Sequence, residues 1–231
     1  MNPKAKEMEP HNTPQAKDWD SFWKRDQSKQ FGRISWSKRR ILRVLEPYCT
    51  DGKAALDAGC GSGFFSKYFC ERKMQTVSFD YSQGALDMAQ KTTDGRSTLV
   101  KGDLLEDSLA QIMPSKFDVI FTDGLFEHFS NECQDRIMQN LKSVLNADGV
   151  IVTFVPNRFS PWEWIRPLYM PGIDEKPFVL TQLVGLNRRN GLRVTQSGGV
   201  NTLPVGLSPE GPVAAVFGML LFTVAQHELT Q

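Results

Sequence analysis

Residues 56–66 read LDAGCGSGFFS, from Leu56 to Ser66, and the reading of this stretch decides the fold. It sits between a short apolar run, Lys53 to Asp57, that reads as a strand, and a segment, Ser62 to Arg72, that reads as a helix. Gly59, Gly61 and Gly63 leave this strand-to-helix turn without Cβ atoms, so a ligand can approach the main chain and meet the N–H groups at the helix N-terminus. The spacing argues against two common nucleotide signatures. A dinucleotide fingerprint GxGxxG/A needs a small third residue, but counting from Gly59 reaches Phe64 and counting from Gly61 reaches Ser66. A P-loop needs Lys-Ser or Lys-Thr after its glycines, and neither follows.

Outward from the loop, strand and helix patterns alternate. Upstream, Ser37 to Tyr48 reads as a helix with Ile41, Leu42, Val44 and Leu45 on one stripe, ended by Pro47 and the Asp51-Gly52 turn. Downstream come a strand at Gln75–Phe79, a helix at Ser82–Lys91 capped by Ser82, a strand at Ser97–Lys101 and a short helix around Asp107–Met113. Phe117 to Thr122, FDVIFT, is a continuous apolar strand of the kind buried on both faces. Ser130 to Asn146 is an amphipathic helix with Ile137, Leu141, Val144 and Leu145 in register, and the Asp148-Gly149 turn leads to a strand at Val150–Val155. Five strands separated by helices imply right-handed βαβ units and a doubly wound, mostly parallel sheet, with its ligand at the carboxyl ends of the strands. Further on are a long loop, Pro156 to Pro177, a helix near Val179–Asn190, a strand near Leu192–Gln196, a Gly/Pro-rich stretch, Gly198–Pro212, and a last strand near Gly218–Gln226.

The chain has 231 residues, enough for one full domain. Residues 1–18 read as a flexible tail and 19–231 as a single domain, with an N-terminal helical cap at 19–52, a cofactor-binding core at 53–157, and acceptor-side and C-terminal elements at 158–231. Trp19, Phe22, Trp23, Phe31 and Trp36 crowd the start of the cap; they either fold back onto the core or cover a ligand pocket. Lys and Arg number 27 against 26 Asp and Glu, a balance that disfavours a mainly electrostatic nucleic-acid binder. Cys49, Cys60, Cys70 and Cys133 form no CxxC pair and are too sparse for a disulfide framework or a zinc cluster, so reduced thiols, a cytoplasmic location and no bound metal are expected. The first thirty residues carry charge throughout and no apolar h-region. The longest apolar stretch, Val213 to Ala225, has 13 residues, short of the roughly 20 that span a bilayer. A monomer or homodimer without a membrane span is the expectation.

The acidic-x-GxGxG pattern formed by Asp57, Gly59, Gly61 and Gly63 resembles motif I of the class I S-adenosylmethionine-dependent methyltransferases. The likeness continues in order through VSFDYS, KGDLLE, FDVIFTDGLFEHF and LKSVLNADGVIVTFVPN, covering about residues 54 to 157. It implies a Rossmann-like, seven-stranded α/β fold and S-adenosylmethionine as cofactor. By the same resemblance Asp80 would bind the ribose hydroxyls, Tyr81 would pack on adenine, Asp103 with Leu104 would meet the adenine edge, and Asp123 would line the cofactor site. Asp57 would orient the loop or face the methionine ammonium. For Asp80 or Asp103 alone, the competing role is to cap a following helix.

A sulfonium is already a strong electrophile, so the protein has mainly to position an acceptor, and a general base is optional. His128, after the fourth strand, is the candidate base, against a plain structural role for the same imidazole. Asp123-Gly124-Leu125-Phe126 stands where nucleic-acid amino-methyltransferases resembling this fold carry a Pro-Pro-aromatic turn. The basic clusters Lys38-Arg39-Arg40 and Arg188-Arg189 lie on helices and read as solvated faces. A small-molecule acceptor and no nucleic-acid partner are therefore expected. Its contacts would come from Trp23, Arg158, Trp162, Trp164, Arg166 and Tyr169, which could equally form a packed flap, with Gly198–Pro212 as a further wall. The rival functions are a non-catalytic cofactor-binding subunit and an NAD(P)-dependent oxidoreductase.

Overall fold

A computed structural model describes residues 35–164, 175–203 and 212–228. The elements in chain order are α1 (Trp36–Leu45) with a 3-10 turn at Glu46–Tyr48, β1 (Ala54–Ala58), α2 (Phe64–Glu71), β2 (Gln75–Asp80), α3 (Gln83–Thr92), β3 (Thr98–Lys101), α4 (Leu109–Ile112), β4 (Phe117–Asp123), a 3-10 turn at Phe126–His128, α5 (Asn131–Ser143), β5 (Leu145–Pro156), α6 (Leu180–Arg189), β6 (Leu192–Val200), α7 (Pro212–Phe217) and β7 (Leu220–His227). The seven strands form one sheet in the order β3-β2-β1-β4-β5-β7-β6. The first five are parallel, and β7 runs antiparallel between β5 and β6. Chain order reverses between β1 and β4, and this leaves a crevice at their carboxyl ends.

Period-two alternation sorts the strand side chains onto two cores. Leu56, Val77, Phe79, Ile120, Ile151 and Val155 face α5 and α6, where they meet Ile137, Met138, Leu141, Leu183 and Leu186. Ala55, Val119, Phe121, Val152 and Phe154 face the other way, against Ile41 and Leu45 of α1 and Phe65 and Phe69 of α2. An aromatic row, Phe65–Phe121–Phe154–Phe222, runs through this second core with centroid spacings of 4.5, 6.1 and 5.5 Å.

Helix starts follow their caps: Ser82 Oγ accepts from Ala85 N, and Ser130 Oγ from Cys133 N. Two boundaries differ from the sequence expectation. The helix after Ser130 stops at Ser143, because Val144 leaves helical geometry and Leu145 pairs with Phe117 at the start of β5. Gly198, Gly199 and Val200 are strand, paired with Phe222, Leu221 and Leu220, and do not line the crevice between β1 and β4. Gly199 is required there, since a Cβ would meet the Ala214 carbonyl oxygen at 1.8 Å. The remainder of that predicted wall, 204–211, lies outside the described residues. So do 1–34, which contain Trp23 and the first part of the expected cap.

Candidate functional site

The crevice contains a cavity of about 320 Å³ at the carboxyl ends of β1, β2, β3 and β4. Its floor is the glycine loop. Gly59 (φ +77°) and Gly61 (φ +48°) take left-handed backbone that other residues rarely adopt. Gly59 N and Cys60 N both donate to Phe79 O, at 2.8 and 3.0 Å, and Gly61 N donates to Asp80 Oδ2 at 3.0 Å. Three consecutive amides are thus spent on the end of β2. At these three positions the loop offers a ligand contour, since their donors are already committed.

Gly63 also departs from its expected role. It does not line the cavity; at φ +72° it caps α2, and a Cβ there would stand 2.6 Å from Ala89 Cα. It lacks a side chain so that α2 and α3 can touch.

The carboxylates around the floor are structurally engaged. Asp57, at 2% exposure, accepts at Oδ2 from Ser66 N (2.8 Å) and Ser66 Oγ (2.6 Å), which locks the first turn of α2 onto β1. Burial pushes its carboxyl up to about 7, opposed by the Ser66 hydrogen bonds. Asp80 divides its oxygens between Gly61 N and Ser82 N. Asp103 Oδ1 accepts from Leu105 N. Neither carboxylate caps a helix, the alternative weighed from sequence: the N-caps of α3 and α4 are Ser82 and Ser108. Each carboxylate oxygen has more than one lone pair, and the cavity reaches both side chains. Tyr81 and Leu104 line the same end.

At the far end stand Asp123, Lys38, Glu127, His128, Phe129 and Glu175. Burial raises Asp123 to about 6, with the Lys38 charge working against it; burial lowers Lys38 to about 8, with Asp123 working against that. Lys38 Nζ also sits 4.1 Å above the Phe64 ring. Gln134 fixes the turn that carries Glu127 and His128 by donating to Phe126 O (3.0 Å) and Phe129 O (3.1 Å). Glu175 reaches the site because Lys176 N donates to Glu127 O (2.9 Å) and Phe178 N to Pro156 O (2.9 Å). Donor atoms of Glu127, His128 and Glu175 lie within 4.8 Å of one another.

Among the described residues, three of the expected acceptor contacts do not line this cavity. Trp164 is 87% exposed, Arg158 is exposed, and Trp162 is half-buried with its N–H on Ser160 Oγ; none of the three lines it. Arg166 and Tyr169 lie outside the described residues. Lys38 and Glu175 were missed. Lys38 read as part of a solvated basic run, although it falls three residues before Ile41 on the buried stripe of α1. Glu175 carries no signal that a single sequence could offer, because only tertiary pairing brings it across.

Residues 55–149 match the family model of the methyltransferase domain. A protein of Encephalitozoon cuniculi named as a methyltransferase is 31% identical over 134 residues, covering 56% of this chain and 58% of that protein. The tRNA N(3)-methylcytidine methyltransferase of Schizosaccharomyces pombe is 25% identical over 180 residues, 74% of this chain and 73% of that one. Among solved structures, an N-methyltransferase of Bradyrhizobium japonicum in complex with S-adenosyl-L-homocysteine has a TM-score of 0.68 at 13% identity, covering 93% of this chain and 98% of that chain. The chain spans about half the length of the first curated relatives it matches.

Proposed function

We propose that the chain is a class I S-adenosylmethionine-dependent methyltransferase and that it transfers a methyl group from S-adenosylmethionine to a small-molecule nucleophile. When bound, the cofactor supplies an electrophilic methyl on a sulfonium. The observation that carries the reading is the charge of the cavity. Asp57, Asp80, Asp103, Asp123, Glu127 and Glu175 line it against the single ammonium of Lys38, and the loop amides are committed to β2. A pyrophosphate would find three of the loop's donors spent and carboxylates facing it, which counts against a nicotinamide dinucleotide. A ligand with a sulfonium and an ammonium suits that field. Asp80 and Asp103 would hold the ribose and the adenine edge, Tyr81 and Leu104 would flank the base, and Asp57 would keep the loop in shape.

The cavity continues past the glycine loop to His128, and this favours an enzyme over a subunit that only binds cofactor. There His128 would accept a proton from the acceptor, held in place by the turn that Gln134 clamps. A small acceptor is in keeping with two of the helical basic residues being engaged within the fold. Arg40, 5% exposed, donates to Asn201 Oδ1 and Leu203 O, and Arg189 pairs with Asp135 at 2.6 Å. The alternative acceptor is an RNA base, favoured by the yeast relative that aligns with 74% of the chain.

Isothermal titration with S-adenosylhomocysteine, S-adenosylmethionine and NAD(H) tests the cofactor. Heat from the first two alone is expected; heat only from the dinucleotide would overturn the assignment. Transfer of labelled methyl to a metabolite extract against total tRNA then separates the two acceptors.

A further inference from the structure

We propose that Asn140, a half-buried residue of α5 that does not itself line the cavity, is the positioning residue that makes the site choose adenine over another base; this rests on the methyltransferase reading above. The turn after β3 closes on itself. Asp107 N donates to Asp103 O at 2.9 Å, Asp103 N to Asp107 Oδ2 at 2.7 Å, and Leu105 N to Asp103 Oδ1 at 2.8 Å. Gly102 permits the closure, since a Cβ there would stand 2.9 Å from both Asp107 Oδ2 and the Phe79 ring. Closure also sets what the turn shows. A trans peptide carries its C=O and N–H on opposite sides, so with Asp103 O held inward by Asp107 N, the N–H of Leu104 points out of the turn. Asp103 and Leu104 line the cavity, and Leu104 N makes no hydrogen bond among the described residues.

A turn closed on itself can still swing as a body, and Asn140 ties it to α5. Its Nδ2 donates to Leu104 O (3.1 Å) and to Asp107 O (2.6 Å), and its Oδ1 accepts from Leu109 N (3.0 Å). One primary amide, with two protons and a carbonyl oxygen, meets two acceptors and one donor; the isosteric aspartate has no proton to give. The 104–105 peptide is thereby held at both ends, its oxygen by Asn140 and its N–H by Asp103. Arg136, one turn earlier on α5, donates to the next carbonyl, Leu105 O. Neither side chain lines the cavity, so both act through the turn.

The consequence is a fixed pattern of one donor, Leu104 N–H, beside one acceptor, the Asp103 carboxylate. A base edge that offers an acceptor and a donor answers it. Adenine has N1 as acceptor and its N6 amino group as donor. Hypoxanthine, of nearly the same shape, has the reverse, N1–H and O6, and would set donor against donor and carboxylate against carbonyl. Choice between the two bases therefore depends on where the turn is held. With Asn140 gone, the turn can rearrange around either base, and discrimination falls further than binding of the disfavoured one.

The test uses calorimetry on the full chain with two probes that differ only in the base, S-adenosylhomocysteine and S-inosylhomocysteine. The wild type should bind the adenosyl compound at least about thirtyfold more tightly, as expected where two hydrogen bonds are lost and their partners left unpaired. Asn140→Asp and Asn140→Ala should each cut that ratio about tenfold, mostly by weakening the adenosyl compound. A residue that merely stiffened the fold would move both affinities together, so the ratio is the readout. Gln134→Ala, on the same helix but releasing Phe126 O and Phe129 O, is the control and should leave the ratio within about twofold. If neither Asn140 variant folds, Arg136→Ala, at an exposed position, carries the test with a ratio cut about threefold. A ratio unchanged in these variants, a ratio cut as deeply by Gln134→Ala, or a wild type indifferent to the base would overturn the proposal. Absence of heat from S-adenosylhomocysteine itself would overturn the methyltransferase reading, and the proposal with it.

Discussion

Replacing Gly63 by alanine separates the packing role of the third loop glycine from any ligand role. At φ +72° an L-residue incurs a left-handed cost of roughly 1–2 kcal/mol. The added Cβ would also lie 2.6 Å from Ala89 Cα and 2.8 Å from Ala89 Cβ, inside any real contact distance. The nearer atom is backbone, so α3 as a whole must retreat; overpacking of this kind costs about 1–3 kcal/mol more. Gly52 supplies the control. Its φ is +79° and a Cβ there meets nothing within 4 Å, so Gly52→Ala carries the backbone cost alone. Urea unfolding of the two variants should place Gly63→Ala lower in stability than Gly52→Ala by about 1–3 kcal/mol at similar m-values. Equal destabilisation would refute the packing argument. An undiminished Gly63→Ala stability with lost S-adenosylhomocysteine binding would return Gly63 to the ligand.

Three further perturbations address the carboxylates and the turn. Asp57 has its pKa raised to about 7, so its contribution to stability is full below the unfolded value near 4 and is lost as pH rises toward 7; Asp57→Asn should remove that loss. The wild-type stability, measured against this variant by urea unfolding from pH 4 to 8, should fall by on the order of 2–4 kcal/mol and then level off. A pH-independent difference would contradict the burial argument. Asp80→Ala should weaken S-adenosylhomocysteine binding by about 1.5–3 kcal/mol in calorimetry, and should also lower stability by about 1–3 kcal/mol because Gly61 N and Ser82 N lose their acceptor. Gln134→Ala releases the carbonyls of Phe126 and Phe129, so turnover should drop about tenfold while cofactor affinity stays within about twofold; a loss of cofactor affinity instead would place Gln134 in the service of the other end of the cavity.

Legibility in the sequence followed the range of the forces involved. The order of strands and helices was readable because alternation at two and near-four residues is local: Val119 and Phe121 face one core while Ile120 faces the other, as FDVIFT implies. Ser82 and Ser130 marked helix starts for the same reason. One end of the cavity was readable because its residues sit at strand ends, where the topology alone brings Asp57, Asp80 and Asp103 together. The other end was not. Trp162 and Trp164 looked like pocket residues by composition, but an aromatic side chain gives no direction, and the structure turns Trp164 to solvent. Glu175 and Lys38 enter through contacts between separate segments, Lys176 with Glu127 and Phe64 beneath the Lys38 ammonium among them. The second of these spans only 26 residues, yet no periodicity encodes it.

The floor of the site and the helix beneath it are joined twice at one residue. Gly63 lets α2 rest on Ala89 by direct contact. A buried polar thread runs in parallel: Ser66 Oγ on Asp57 at 2.6 Å, Ser78 Oγ on Ser66 at 2.8 Å, Ser78 and Ser97 at 2.9 Å, Ser97 and Thr93 at 3.2 Å, and Thr93 Oγ1 donating to Ala89 O at 2.9 Å. Each hydroxyl has one proton to give, so the charge state of Asp57 sets the direction of the chain. With the carboxylate ionised, Ser66 must donate to Asp57 and Ser78 to Ser66; Thr93 spends its proton on Ala89 O, so Ser97 can serve either Ser78 or Thr93 but not both. Once Asp57 holds a proton, Ser66 is free to point elsewhere and the ordering lapses. A cation seated above Asp57 favours the ionised form, and with it the ordered hydroxyls of Ser66 and Ser78 that tie α2 to β2.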